Sequence, residues 1–205
     1  FGDVPVMLNV RPTNTIRDLA PRASELDEEL VQEVLGKHPS GLRLLSPPRP
    51  EQAEIATAEQ FGQIVNFLSN MFSYVVIDTA HELGEITLAA FDVSQLVVVV
   101  TTQDIPSIAR VQRFLGLAPS LGLKPERLLV VMNQYNERVN IRPDKVAVSL
   151  QHPIALALPL DFQTALQAIN RGEPFMLNKN QRSTPLAKSM LQAAEAIQQK
   201  LAELE

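Results

Sequence analysis

Four short apolar runs limit what this chain can become: Tyr74 to Ile77, Leu96 to Val100, Arg127 to Met132, and Ile154 to Leu158. Each is nearly unbroken in its hydrophobicity and too short for a buried helix. Strands covered on both faces read this way, whereas half-solvated strands alternate apolar with polar. Between the runs lie segments with apolar residues at helical spacing. These are predicted around Glu85 to Phe91, Ile105 to Leu117, Pro143 to Leu150, Phe162 to Asn170 and Thr184 to Leu204. This alternation predicts an α/β fold: a doubly wound, mainly parallel sheet flanked by helices. Right-handed crossovers in such a sheet bring the carboxyl ends of the strands to one rim. The expected rim residues are Asp78, Thr101, Asn133 and Pro159.

The first third of the chain is less regular. Leu26, Leu30, Val31, Val34 and Leu35 recur at helical spacing, with Ser24 as the expected cap and Gly36 near the helix end. A strand is predicted over Leu42 to Leu45. The proline cluster from Ser46 to Pro50 then interrupts the pattern before a helix from Glu51 to Asn70.

Composition narrows the functional classes. At 205 residues with 45% hydrophobic content, one domain over 1–205 is expected. The chain has no cysteine, which rules out disulfides and thiolate metal sites, and three scattered histidines argue against zinc. No apolar run approaches the roughly 20 residues that span a bilayer. A formal net charge of -5 argues against the broad basic face that nucleic-acid binding requires. The last segment, Ala194 to Glu205, is acidic at its tip and lacks an aromatic anchor, so it makes a poor membrane-surface helix. Met190, Leu191, Ala194 and Ile197 are expected to pack it onto the sheet.

Taken in order, several short motifs resemble the MinD/ParA group of deviant P-loop ATPases, and most closely its TadZ/CpaE pilus-assembly branch. They are Phe1-Gly2-Asp3-Val4, Thr15-Ile16-Arg17-Asp18-Leu19, Asp78-Thr79-Ala80-His81, and Thr87-Leu88-Ala89-Ala90. Further along come Val100 to Ser107, Asn133-Gln134-Tyr135-Asn136, Leu158-Pro159-Leu160-Asp161, and Ala168 to Pro174. No single motif is specific; their colinearity over nearly the whole chain carries the resemblance.

The resemblance implies a Walker B role for Asp78, holding Mg through water, and a switch segment at Thr79, Ala80 and His81. It also implies a nucleotide-binding wall of Asn133, Pro159, Leu160 and Asp161 beside the adenine base. Each role has a competing structural reading. Asp78 could cap the following helix, Asn133 could be a turn residue, Pro159 could simply end a strand, and His81 reads more readily as a solvated loop residue than as a general base. Two positions depart from the family pattern: Ala80 stands where proline is frequent, and Gln134 where arginine is.

The phosphate loop of the family is expected to lie upstream of this chain. The only Gly-Lys, Gly36-Lys37, is followed by His38 and has Val31 where G-x-x-x-x-G-K-[ST] requires its first glycine. The chain therefore reads as a carboxyl-terminal portion lacking the first strand, P-loop and second strand. ATP and Mg are the cofactors expected for the intact parent, and none is expected to bind this chain. The parent is expected to be a cytoplasmic ATPase, with a cell pole as a possible place of action. It would dimerise around ATP and position pilus or secretion assembly proteins. A non-catalytic interaction module on the same scaffold is the alternative reading, and a DNA-bound partitioning ATPase is a third that the charge balance disfavours.

Overall fold

The computed structural model describes residues 2–48 and 56–204. Packing divides the chain into two compact units: residues 1–93 with 168–174, and residues 94–167 with 175–205.

The first unit is mainly helical. It contains α1 (Val4–Met7), α2 (Ile16–Leu19), α3 (Glu28–Val34), a short antiparallel pair β1 (Gly36–Lys37) and β2 (Arg43–Leu44), α4 (Ala58–Met71) and α5 (Glu85–Val93). Its core gathers around Leu19, Val31 and Ile64, with Phe61, Phe67, Phe72 and Val75 packed against it. α3 starts later than predicted. Asp27 is the cap, its carboxylate accepting from the Leu30 N–H at 2.8 Å, so Ser24 lies outside the helix. α4 starts with a capping box: Gln60 Oε1 accepts from the Thr57 N–H at 2.9 Å, and Thr57 Oγ1 accepts from the Gln60 N–H at 3.2 Å. The predicted beginning of that helix, at 51–55, lies outside the described residues, as do positions 49 and 50 of the proline cluster.

The strand predicted over Tyr74 to Ile77 does not form. Residues 74–80 run without regular structure, and Tyr74 (59%) and Val76 (91%) are exposed. Val75 packs against the core of its unit. An apolar run becomes a strand only when a neighbouring strand satisfies its backbone groups. Among the described residues no ladder includes this segment. Asp78 is therefore not a strand-end carboxylate, and the expected four-member rim has three strand members.

The second unit holds those three strands, β3 (Val97–Thr102), β4 (Leu128–Tyr135) and β5 (Ile154–Pro159), parallel and in the order β3-β4-β5. α6 (Ile105–Leu117) and α7 (Pro143–Leu150) are the crossovers, and α8 (Phe162–Arg171) and α9 (Pro185–Ala202) follow the sheet in sequence. Alternate residues of β4 face opposite layers. Val130 and Met132, both at 0% exposure, join Ile108, Val111, Val146 and Leu150 from α6 and α7. Leu129 and Val131 join Leu158, with Ala193 and Ile197 of α9 packed against them. Burying a side chain of the size of Val130 or Met132 contributes about 1.5–3 kcal/mol. Of the four residues expected to pack α9 onto the sheet, Ile197 does so, together with Ala193, whereas Met190, Leu191 and Ala194 are exposed. On β3, Val98 and Val100 also remain exposed, although their register partners Leu129 and Val131 are buried.

Candidate functional site

The three parallel strands bring their carboxyl ends together, which is where ligands bind in open α/β sheets. Thr102 is paired in register with Asn133, and Tyr135 with Pro159, so the last residues of β3, β4 and β5 form a continuous rim.

At the end of β3, polar side chains prepare the entry into α6. Asp104 caps the helix, with Oδ1 accepting from the Ser107 N–H at 2.8 Å and Oδ2 accepting from the Thr102 hydroxyl. That hydroxyl first and then the Ser107 N–H hold the Asp104 carboxyl below its ordinary pKa, against an opposing effect of desolvation, with the charge of Arg110 adding a smaller lowering. Buried Thr101 shares a hydrogen bond with the Ser107 hydroxyl at 3.2 Å, and Ser107 Oγ accepts from the Thr102 N–H at 3.0 Å.

The end of β4 is irregular. The ladder to β5 breaks between Met132 and Tyr135, and Gln134 takes a positive φ of 56°. Asn133 lies within the strand rather than in a turn after it; its Oδ1 accepts from the Gln134 N–H at 2.8 Å. The amide nitrogen of Asn133 is a donor in addition to that acceptor contact. Beyond Tyr135, Asn136 Oδ1 accepts from the Arg138 N–H at 3.0 Å, and the Asn136 carbonyl accepts from the Val139 N–H at 3.0 Å, closing a tight turn.

β5 brings in Pro159, Leu160 and Asp161. The Leu160 N–H donates to the Tyr135 carbonyl at 2.8 Å, which fixes this turn against β4. Asp161 Oδ1 accepts from the Thr164 N–H at 3.0 Å, so the carboxylate caps α8. Tyr135, Asn136, Glu137, Arg138 and Leu160 line an open recess of about 390 Å³ at this rim. The Tyr135 hydroxyl accepts from Arg142 at 3.2 Å. The recess offers a ring, an aliphatic side chain, a guanidinium and a carboxylate, a combination suited to a flat heteroaromatic group with polar edges.

Asn133, Pro159, Leu160 and Asp161 thus share one rim of the second unit. Asp78, Thr79, Ala80 and His81 lie in the first unit, all exposed and outside regular structure. Among the described residues no group of three or more histidine or acidic side chains is placed to hold a metal ion. One exposed carboxylate does not make a magnesium site, because Mg²⁺ held by a single protein carboxylate relies on phosphate oxygens and water for the rest of its shell. Of the four residues expected to form the nucleotide wall, Leu160 lines the recess, whereas Asn133, Pro159 and Asp161 stand at the same rim outside its lining; Asp78 alone does not fit Mg²⁺. Sequence reasoning missed Glu137 and Arg138, which line the recess. A polar cluster directly after the β4 run was the only local signal for these two.

No protein-family model matches the chain. It is 28% identical over 183 residues to the putative septum site-determining protein MinD of Tupiella akineta, covering 86% of this chain and 58% of that protein. Identity to the putative MinD of Guillardia theta is also 28% over 183 residues, covering 87% of this chain and 66% of that protein. The septum site-determining protein MinD of Thermotoga maritima is 28% identical over 158 residues, 74% of this chain and 58% of its own length. The chain thus spans roughly three fifths to two thirds of these relatives. Among solved structures, a ParA family ATPase from Chlorobium tepidum TLS superposes with a TM-score of 0.86 at 17% identity, covering 95% of this chain and 81% of that one. The MinD cell division protein of Aquifex aeolicus superposes with a TM-score of 0.75 at 20% identity, covering 96% and 79%. The chain is thus similar in sequence to MinD proteins, and its parallel three-stranded sheet with flanking helices has the fold seen in the ParA family and MinD structures.

Proposed function

We propose that this chain is the carboxyl-terminal portion of a MinD/ParA-like ATPase that positions pilus or secretion machinery by ATP-dependent dimerisation. The observation that carries the nucleotide part is the rim of β3, β4 and β5. Leu160 lines a recess there with Tyr135, Asn136, Glu137 and Arg138, and Asn133 and Pro159 stand near the ends of the neighbouring strands β4 and β5. Asn133 would read the base edge through its amide donors, with Leu160 packing on the ring. Pro159 would stiffen the wall, and Asp161 would hold the wall in place through its cap on α8. Asp78 would contribute to magnesium only once phosphate oxygens supply the rest of the shell, with Thr79 to His81 as the segment that responds to the terminal phosphate. The cytoplasm, with a cell pole as its working site, is the location that goes with this role.

The pilus or secretion role rests on the resemblance of the motifs to the TadZ/CpaE branch. Homodimerisation is proposed by analogy with the same ATPases, and one solved MinD relative is a MinC:MinD complex from Aquifex aeolicus. The competing reading, a non-catalytic interaction module, draws on the absence from these 205 residues of any G-x-x-x-x-G-K-[ST] motif. Phosphoryl transfer in P-loop enzymes needs such a cradle, so the chain by itself is proposed to be inactive. Calorimetric titration with Mg-ATP separates the readings. The 205-residue chain is expected to show no micromolar binding, and the whole encoded protein is expected to bind. Micromolar binding by the chain alone would refute the first expectation, and no binding by the whole protein would favour the interaction module.

A further inference from the structure

Gln103 follows the last residue of β3 and is half-buried, and its carboxamide reaches across the rim to a segment more than thirty residues away. Oε1 accepts from the Asn136 N–H at 2.9 Å. Nε2 donates to the Ile141 carbonyl at 2.8 Å and lies 3.5 Å from the Val139 carbonyl. One side chain therefore holds both ends of the connection between β4 and α7. The connection also closes on itself through Asn136, with bonds to Arg138 and Val139 of 3.0 Å each. Gln103 ties that closed turn to the end of β3, and the turn supplies Asn136, Glu137 and Arg138 to the recess.

We infer that Gln103 is the positioning residue of the recess: by fixing the 136–141 turn it sets the gap between the Glu137/Arg138 wall and the Tyr135/Leu160 wall, and so the fit of a planar nucleotide base. This deepens the nucleotide reading and rests on it. The chemistry calls for an amide. A carboxamide both accepts from an N–H and donates to a carbonyl, which an ionised carboxylate, an ammonium or a guanidinium cannot do. A carboxylate keeps the first bond and turns the second into a repulsion between oxygens.

Two measurements test this role. Hydrogen exchange on the 205-residue chain is expected to show the Asn136 amide exchanging about ten-fold faster in Q103A, the loss of roughly one hydrogen bond. In Q103E that amide stays protected. The Val146 amide, which donates to the carbonyl of Arg142 at the N-cap of α7, stays as in wild type in both variants and reports an intact fold. In the whole encoded protein, Q103A is expected to weaken Mg-ATP about ten-fold while Mg-tripolyphosphate, which lacks the base, changes less than about two-fold. Unchanged Asn136 exchange in Q103A overturns the role of Gln103 alone. Equal weakening of ATP and tripolyphosphate also overturns it, because a general loss of structure would affect both. A wild-type protein that binds ATP no better than tripolyphosphate overturns the base-binding reading and the fit assigned to Gln103 with it, whatever the exchange data show.

Discussion

Replacing Gln134 with glycine should stabilise the protein, although it removes a side chain next to the candidate base-reading residue. Gln134 is exposed and its φ is 56°, in the left-handed region. Holding an L-residue there costs about 1–2 kcal/mol, while glycine loses about 0.5–1 kcal/mol more chain entropy on folding. The net expectation for Q134G is a gain of about 0.5–1 kcal/mol, or about 1–4 °C in Tm for a chain of this length. Glycine keeps the N–H that donates to Asn133 Oδ1, so the pose of Asn133 should persist. Gly122 supplies the matched control. Its φ is 72° and a Cβ there would meet no atom within 4 Å, so G122A should lose a similar amount through the backbone alone. Differential scanning calorimetry of both variants decides the matter. A lower Tm for Q134G alongside the expected loss for G122A would refute the strain argument and show that the Gln134 side chain itself contributes to the fold.

Three further outcomes are expected. G172A should be destabilised by about 2 kcal/mol or more in a denaturant melt, since Gly172 has φ 62° and its Cβ would sit 2.7 Å from Asn9 Cβ and 3.2 Å from Asn9 N. Because the folded-state pKa of Asp104 is depressed, its contribution is present above the unfolded carboxyl value and lost as pH falls through the lower folded one. The stability gap between wild type and D104A should therefore be full at neutral pH and narrow as pH falls below about 4, measured by chemical denaturation across pH. Val98 and Val100 on the terminal strand β3 leave apolar surface uncovered, so the 205-residue chain should self-associate with concentration and V100K should reduce that association in sedimentation velocity. A monomeric chain at all concentrations would count against this.

Legibility differed between the two units for physical reasons. β3, β4 and β5 read correctly because each run is buried on at least one face along its length, and because Asp104-Ile105-Pro106 and Pro143 mark the following helices with local chemistry. Tyr74 to Ile77 has the same composition, but a strand is a property of a pair, and no run of residues encodes its partner. Asp27 displaced Ser24 as a cap because only Asp27 stands three residues before an N–H its carboxylate can accept, and the helical spacing left both in place. Within the site, Asn133, Pro159 and Leu160 followed from strand ends and motif order. Gln103 could not be read in the same way, since its partners at Asn136 and Ile141 are brought near only by the parallel crossover.

The chain contains no tryptophan and only two tyrosines, Tyr74 and Tyr135. Tyr135 lines the recess, and its phenol is bonded by Arg142. Within these 205 residues a Y74F background would leave Tyr135 as the one tyrosine, so its emission would report changes at the recess, such as the loosening expected of Q103A, without attaching a dye.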